Sequence, residues 1–295
     1  ESMATKKSPS GASYVGGGKW KEIWRRFKKN RGAVIGLIML AVLAAVLLGA
    51  PLFVSYEKAI TQNMEFMLEK PAAHIFGNDG YGRDIFARII YGGRVSVAIA
   101  ILATICSCLV GSFLGAIAGY FGGVVDSVIM RSLDIFMSVP DILFTMAVVY
   151  ALGANFVNLI VALTLAYFTN YVRLVRSEVL TLSEQDYVEA SRAGGAGGLR
   201  IILSHIIPNA IGVIIVNTTL NIAKIIIYES TLSFLGLGMP APQPEWGQML
   251  SEAREFMRKA PHLMFFPALS IVITACSVNL IGDGLRDALD PHLKS

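Results

Sequence analysis

Six stretches of the chain are apolar for long enough to cross a bilayer as helices, which takes about 20 residues each. Ala33 to Val54 is uncharged; it is too long and starts too far in to be a cleaved signal, and reads as a permanent first helix. Val95 to Ala118 is the second, with Gly111, Gly115 and Gly119 at i, i+4 and i+8, a spacing that lets another helix approach closely. Val124 to Leu152 carries Asp126, Arg131, Asp134 and Asp141 and turns purely apolar only from Ile142. Phe156 to Val175, Ile206 to Tyr228 and Leu263 to Ile281 complete the set. Helices satisfy their own backbone hydrogen bonds in lipid and open sheets do not. The predicted fold class is therefore all-α, a polytopic membrane protein with six transmembrane helices.

The polar segments set the orientation. Lys6, Lys7, Lys19, Lys21, Arg25, Arg26, Lys28, Lys29 and Arg31 precede the first span. Such a cluster suits nucleic acid, but directly before a span it is better explained by retention on the cytoplasmic side. The expected organisation is a basic cytoplasmic tail over 1–31, disordered through about Gly18, and a first transmembrane helix over 32–54. An extracytoplasmic loop over 55–92 follows, then a five-helix core over 93–284 that includes a cytoplasmic loop at 177–207, and a cytoplasmic tail over 285–295. Both termini are expected in the cytoplasm. Composition agrees with a membrane solvent: 54% of residues are hydrophobic and 16% charged, against about a quarter charged in soluble domains.

Little in the chain suggests catalysis or metal binding. Cys106, Cys108 and Cys276 lie inside apolar runs, and Cys106-x-Cys108 lacks metal-ligand spacing. His74, His205, His262 and His292 are scattered, with no H-E-x-x-H set. Gly18-Lys19 is followed by Trp20, so there is no phosphate-cradling loop. Gly282-Asp283-Gly284 lacks the context of a membrane aspartyl protease and reads as a capping turn. No catalytic or metal-ligating residue is assigned.

Polar residues inside spans are costly, which makes them candidates for a translocation pathway. Asn217, Asn221 and Lys224 recur at i, i+4 and i+7 in the fifth span and share a face. That face lines a passage, with Lys224 offsetting a substrate carboxylate, or else the asparagines bond between helices and Lys224 snorkels outward. In the third span Arg131 and Asp134 lie one turn apart, and an ion pair that helps this helix pack is preferred to a proton relay.

Between the fourth and fifth spans, Leu182 to Ala193 reads as a short helix that Gly194 and Gly195 end. A second helical stretch runs from Leu199 toward Pro208. The result is a helix–turn–helix elbow outside the membrane, suited to filling a groove on a partner. The run Asp186-Tyr187-Val188-Glu189-Ala190-Ser191-Arg192-Ala193-Gly194-Gly195 resembles the E-A-A-x-x-x-G loop of ABC importer membrane subunits. Glu189, Ala190 and Gly195 match that loop and Pro208 the proline after it, whereas Ser191 replaces the second alanine, and Gly194, Gly197 and Gly198 stand where relatives carry bulkier or polar residues. Further segments are similar to C-type permeases of the dipeptide, oligopeptide, nickel and opine branch. They are Phe76-Gly77-Asn78-Asp79-Gly80-Tyr81-Gly82-Arg83-Asp84, Gly119-Tyr120-Phe121-Gly122-Gly123, Ser233 to Gly238, Trp246-Gly247, and Gly282 to Pro291.

The resemblance implies a type I ABC importer permease fold in a bacterial inner membrane. It implies that Asp186, Glu189, Ala190, Ser191, Arg192, Gly194, Gly195 and Pro208 form the contact with an ATPase. It implies as partners a second homologous permease, two ATPase subunits that bind ATP and Mg, and an extracytoplasmic peptide-binding protein, with no cofactor in this chain. Peptides are preferred to nickel because the spans hold no soft or imidazole ligand cluster, with a permease of the same type for nickel chelates or opines as the alternative. An ion-coupled secondary transporter is the alternative of another class; such a protein is expected to show internal repeats and broken helices, and no convincing repeat is seen.

Overall fold

The structure is a computed structural model that describes residues 18–71 and 74–289. Of the basic tail expected over 1–31, the first seventeen residues lie outside this range. The described remainder is helical: Gly18–Lys29 form helix α1. Ile23 and Phe27 turn one face of α1 onto Ile281, Leu285 and Ala288 near the C-terminus, while Trp24 stays half exposed, stacked on Phe27 at 5.6 Å. Asn30 ends α1 and starts α2, Arg31–Leu48. Its Oδ1 accepts from the Ala33 amide at 3.1 Å, and its Nδ2 donates to Asp287 at 2.9 Å.

Short turns at Ala50–Phe53, Tyr56–Ile60 and Met64–Phe66 lead to α3, Ile85–Phe121, a helix of 37 residues. Asp84 caps it by accepting from the Ala87 amide at 2.9 Å. The stretch 55–92 is therefore not loop to its end, because residues 85–92 are already helical. Arg88 and Arg94 hide those first turns from a hydropathy reading, but a good cap and good helix formers start a helix regardless of polarity.

The third apolar stretch is two helices, α4 (Gly123–Met137) and α5 (Asp141–Leu152), bent by 84°. Pro140 lies at the bend, where it lacks an amide hydrogen and holds the residue before it out of the helical region. Helix α6, Phe156–Ser183, lies parallel to α3 and in the same sense, because Ser107, Gly111, Gly115 and Gly119 meet Thr164, Phe168, Val172 and Arg176 in turn. The glycine stripe lies in this contact: a Cβ on Gly115 would sit 2.5 Å from the Val172 carbonyl oxygen, and one on Gly111 2.5 Å from that of Phe168.

Helix α6 continues through Leu182 to Ser183, so the elbow helix is shorter than expected: α7 spans Asp186–Ala193. Gly198–Ile201 and a π-turn at Ile202–Ile206 then merge into α8, Ile207–Leu232. The second arm of the elbow is thus the beginning of the fifth span itself. Pro208 follows that π-turn, the kind of local break that accommodates a residue with no amide to donate into the turn before it. Between the fifth and sixth apolar stretches lie the end of α8, a π-turn over Ser233–Leu237 and helix α9, Trp246–Ala253. Helix α10, His262–Leu289, includes residues 285–289 of the expected tail.

Among the described residues, five helices are long and apolar enough to cross a membrane, or six if the bent pair counts as one. The main core joins α3, α6, α8 and α9 through Ile90, Ile99, Leu163, Ile225 and Trp246. Large apolar side chains such as Leu52, Val124 and Tyr150 remain on the outside.

The expected Arg131–Asp134 pair is corrected. Asp134 instead accepts from Arg173 of α6 at 2.9 Å, and Asp126 takes both donors of Arg176 at 2.5 and 2.6 Å. Arg131 is exposed. Asp134 makes a single charge-assisted bond across to α6, and only Asp126 is held bidentately.

Candidate functional site

Three places collect polar chemistry, and the first is the α7 elbow. Val188 is fully buried and packs with Val175, Val179, Ile201, Ile202 and Ile206. One apolar pin thus fixes α7 to the roots of α6 and α8. Around it Asp186, Glu189, Ala190, Arg192, Gly194 and Gly195 are exposed and Ser191 is half-buried. Gly194 caps the helix through its amide to the Ala190 carbonyl at 2.9 Å, and Gly195 follows at φ +79°, a conformation that costs other residues about 1–2 kcal/mol. Gly198 permits a close approach: a Cβ there would lie 2.8 Å from the ring of Tyr120 at the end of α3. The Arg192 guanidinium sits over that same ring at 5.4 Å. Pro208 is exposed, further along the same segment.

The second place is at the other end of α3. Arg83 and Arg88, both buried, share Asp79 and Glu252 of α9. Arg83 Nε donates to Asp79 at 2.7 Å and its Nη2 to Glu252 at 2.5 Å; Arg88 Nη2 donates to Glu252 at 3.0 Å and its Nη1 to the Ala59 carbonyl at 3.2 Å. Gly82, at φ +72°, passes so close to Asn63 that only glycine fits. Beside this latch the buried Glu245 caps α9, accepting from the Gly247 amide at 3.0 Å and the Met239 amide at 3.1 Å. The latch and Glu245 were not anticipated. The sequence signal was the Asp79–Asp84 run, whose charges pair with α9, an element unread as a helix.

The third place is the proposed pathway face. Its three residues lie along one continuous helix, α8, and differ in their surroundings. Asn217 bonds to the Val213 carbonyl of its own helix at 3.2 Å, Asn221 is buried, and Lys224 is exposed. Nearby, Tyr228 of α8 meets Thr145 of α5 at 3.3 Å and stacks edge-on against Tyr167 of α6 at 5.5 Å.

Residues 111–295 match the family described as the binding-protein-dependent transport system inner membrane component, and residues 18–71 match the N-terminal TM domain of oligopeptide transport permease C. The chain is 41% identical over 287 residues to the dipeptide transport system permease protein DppC of Alkalihalophilus pseudofirmus, covering 97% of this chain and 94% of that one. It is 41% identical to the glutathione transport system permease protein GsiD of Pectobacterium atrosepticum, over 94% and 92% of the two chains. Among solved structures it resembles a chain of the inward-facing MetNI methionine ABC transporter. The TM-score is 0.58 at 19% identity, covering 70% of this chain and 98% of that one.

Proposed function

The chain belongs to the binding-protein-dependent transport system inner membrane components, the permeases of ABC importers, and from that premise we propose that it moves di- and oligopeptides into the cytoplasm, driven by ATP hydrolysis in partner subunits. It is a multi-pass membrane subunit and not an enzyme. The observation that carries the substrate is the 41% identity, over 97% of the chain, to a protein named for dipeptide transport.

The reading assigns the α7 face of Asp186, Glu189, Ala190, Ser191, Arg192, Gly194 and Gly195 to an ATPase, with Pro208 starting the span behind it. Support comes from a surface that is exposed yet pinned by Val188, as a coupling element requires. ATP and Mg would be bound by two such ATPases. A second homologous permease closes the passage, and an extracytoplasmic binding protein delivers the peptide.

On this reading the elbow end faces the cytoplasm. The basic α1 lies at that same end, since Phe27 packs at Gly284 while Leu289 of α10 reaches Gly212 of α8. That arrangement accords with the positive-inside rule. The latch end, including 61–84 and α9, then faces outward, and the segment 177–207 is the coupling loop. Plasma-membrane residence in a bacterium follows.

The test is co-purification. Glu189→Arg and Gly195→Val are expected to release the ATPase subunits and stop uptake while the helices stay folded; assembly and uptake at wild-type levels would refute the coupling role. Uptake that persists under a protonophore but stops without ATP excludes ion coupling. Titrating the cognate binding protein with peptides, nickel chelates and opines decides the substrate.

A further inference from the structure

We infer that a zwitterionic short peptide is held within the passage between Lys224 of α8 and Asp141 of α5, its carboxylate on the lysine and its ammonium on the aspartate. The inference rests on the importer reading above.

Helix direction places the two charges at one level. Helices α5 and α6 form a hairpin: Asn158 Nδ2 donates back to the Leu152 and Gly153 carbonyls at 2.7 and 2.9 Å, and further along Phe136 contacts both Phe144 and Phe168. Helices α6 and α8 are also antiparallel, because Tyr167 meets Tyr228 while Val175 and Val179 pack with Ile214 and Ala210. Helices α5 and α8 therefore run in the same sense and touch where Thr145 meets Tyr228 at 3.3 Å. Asp141 and Lys224 each precede that contact by four residues. Each lies about 6 Å from it along its helix, on the same side.

Both side chains are exposed, and neither forms an ion pair among the described residues. Their neighbours differ. Asp126 and Asp134 in the same bent segment are both neutralised by arginines of α6. An unpaired charge inside a membrane segment must face water or a partner of opposite charge. Here two opposite charges lie at one level of the bundle, both exposed and with no ion pair between them. A dipeptide presents one charge of each sign about 7 Å apart when extended. The half-buried Tyr228 and Tyr167 rings flank the space between; Thr145, fully buried, donates to the Asp141 carbonyl at 2.7 Å and meets the Tyr228 hydroxyl, so it fixes that ring and does not line the space. Asn221, buried, and Asn217, bonded to its own backbone, are not part of this site.

The experiment uses the whole transporter in proteoliposomes with its binding protein, ATPases and second permease, and radiolabelled dialanine as the probe. The readout is peptide delivered per ATP hydrolysed. Lys224→Met and Asp141→Asn are each expected to lower that ratio about tenfold, the loss that goes with one charge-assisted hydrogen bond. Lys224→Arg and Asp141→Glu should keep most of it, and the doubly neutral variant should deliver no more than either single one. Single variants that deliver as well as wild type overturn the inference. So does a double variant that recovers delivery or assembly, as it would if the two residues only neutralised each other. A wild-type complex that delivers no dialanine with ATP sinks the importer reading instead, and so the two failures are distinguishable.

Discussion

Replacing Gly115 with alanine tests the most extensive helix contact in the molecule. A Cβ at that position would lie 2.5 Å from the Val172 carbonyl oxygen and 3.1 Å from the Arg176 nitrogen. Both are backbone atoms, so no side chain can swing aside. Relief requires α3 and α6 to part by nearly an ångström there, and a gap of about 0.5–1 Å forfeits a quarter to a half of each atom–atom attraction across it. Overpacking of this kind costs about 1–3 kcal/mol, and with rigid backbone on both sides the upper part of that range applies. Against it stands the helix preference of alanine over glycine, about 1 kcal/mol. The net expectation is a loss of about 1–2 kcal/mol. Gly212→Ala is the control, since its Cβ would meet only the Leu289 side chain at 3.6 Å, and it keeps the propensity gain without the clash. The two variants should differ by about 2–3 kcal/mol in reversible unfolding measured by steric trapping in bicelles. Equal stabilities would refute the claim that α3 and α6 meet backbone to backbone.

Three further outcomes are expected. Arg88→Met removes a buried guanidinium from Asp79 and Glu252, and because Arg83 still partners both, the cost should fall below the full 3–5 kcal/mol of a broken buried pair, at about 2–3 kcal/mol; faster tryptic cleavage at Lys58 and Lys70 together with a lowered melting temperature would register it. Glu245→Ala leaves the buried Gly247 and Met239 amides without an acceptor, at roughly 1–3 kcal/mol each, whereas Glu245→Gln keeps one carbonyl oxygen and should lose about half as much; hydrogen exchange at those two amides is the direct measure, and unchanged protection in the alanine variant contradicts the cap. Val188→Asp places a carboxylate in an apolar cluster and should free α7 without melting the spans, so ATPase co-purification is lost while helicity by circular dichroism stays constant.

The membrane character was legible because scarcity of charge and span length follow from the solvent alone. What hydropathy misread were helices that carry charge. Helix α1 holds seven basic or acidic residues between Lys19 and Lys29 and reads as tail, yet Ile23 and Phe27 recur at helical spacing and find α10. The first turns of α3 were read as loop because Arg88 and Arg94 interrupt the apolar run, and α9 because it lies between spans. At the elbow the exposed motif could be read, but Val188, which fixes its position, could not: one apolar residue in a polar loop gives no sign of what it will touch. The Arg131–Asp134 expectation failed for a related reason. Sequence shows neighbours along one helix and hides the arginines that α6 brings from across the contact.

These separate places acquire a common meaning through α3. Its 37 residues form a single helix of about 55 Å, with a specific contact near each end. At one, the Tyr120 ring lies under Arg192 and over Gly198, wedged against the elbow. At the other, Arg88 is bound to Glu252 of α9 and to the Ala59 carbonyl. Between them the glycine stripe joins α3 to α6 backbone to backbone, with no long side chains to take up slack. A rod gripped at both ends passes a displacement along its length, because a packed interface deforms far less readily than a loop. On the proposed coupling reading, a push on α7 would be shared between the Val188 cluster and Tyr120, and the part taken by Tyr120 would reach the Arg83–Arg88–Glu252 latch through one continuous helix. Lys224 and Asp141, unpaired among the described residues, belong to α8 and α5, and α8 packs on α3 in the main core, so on the proposed reading the charges that hold the peptide sit beside the strut that would move.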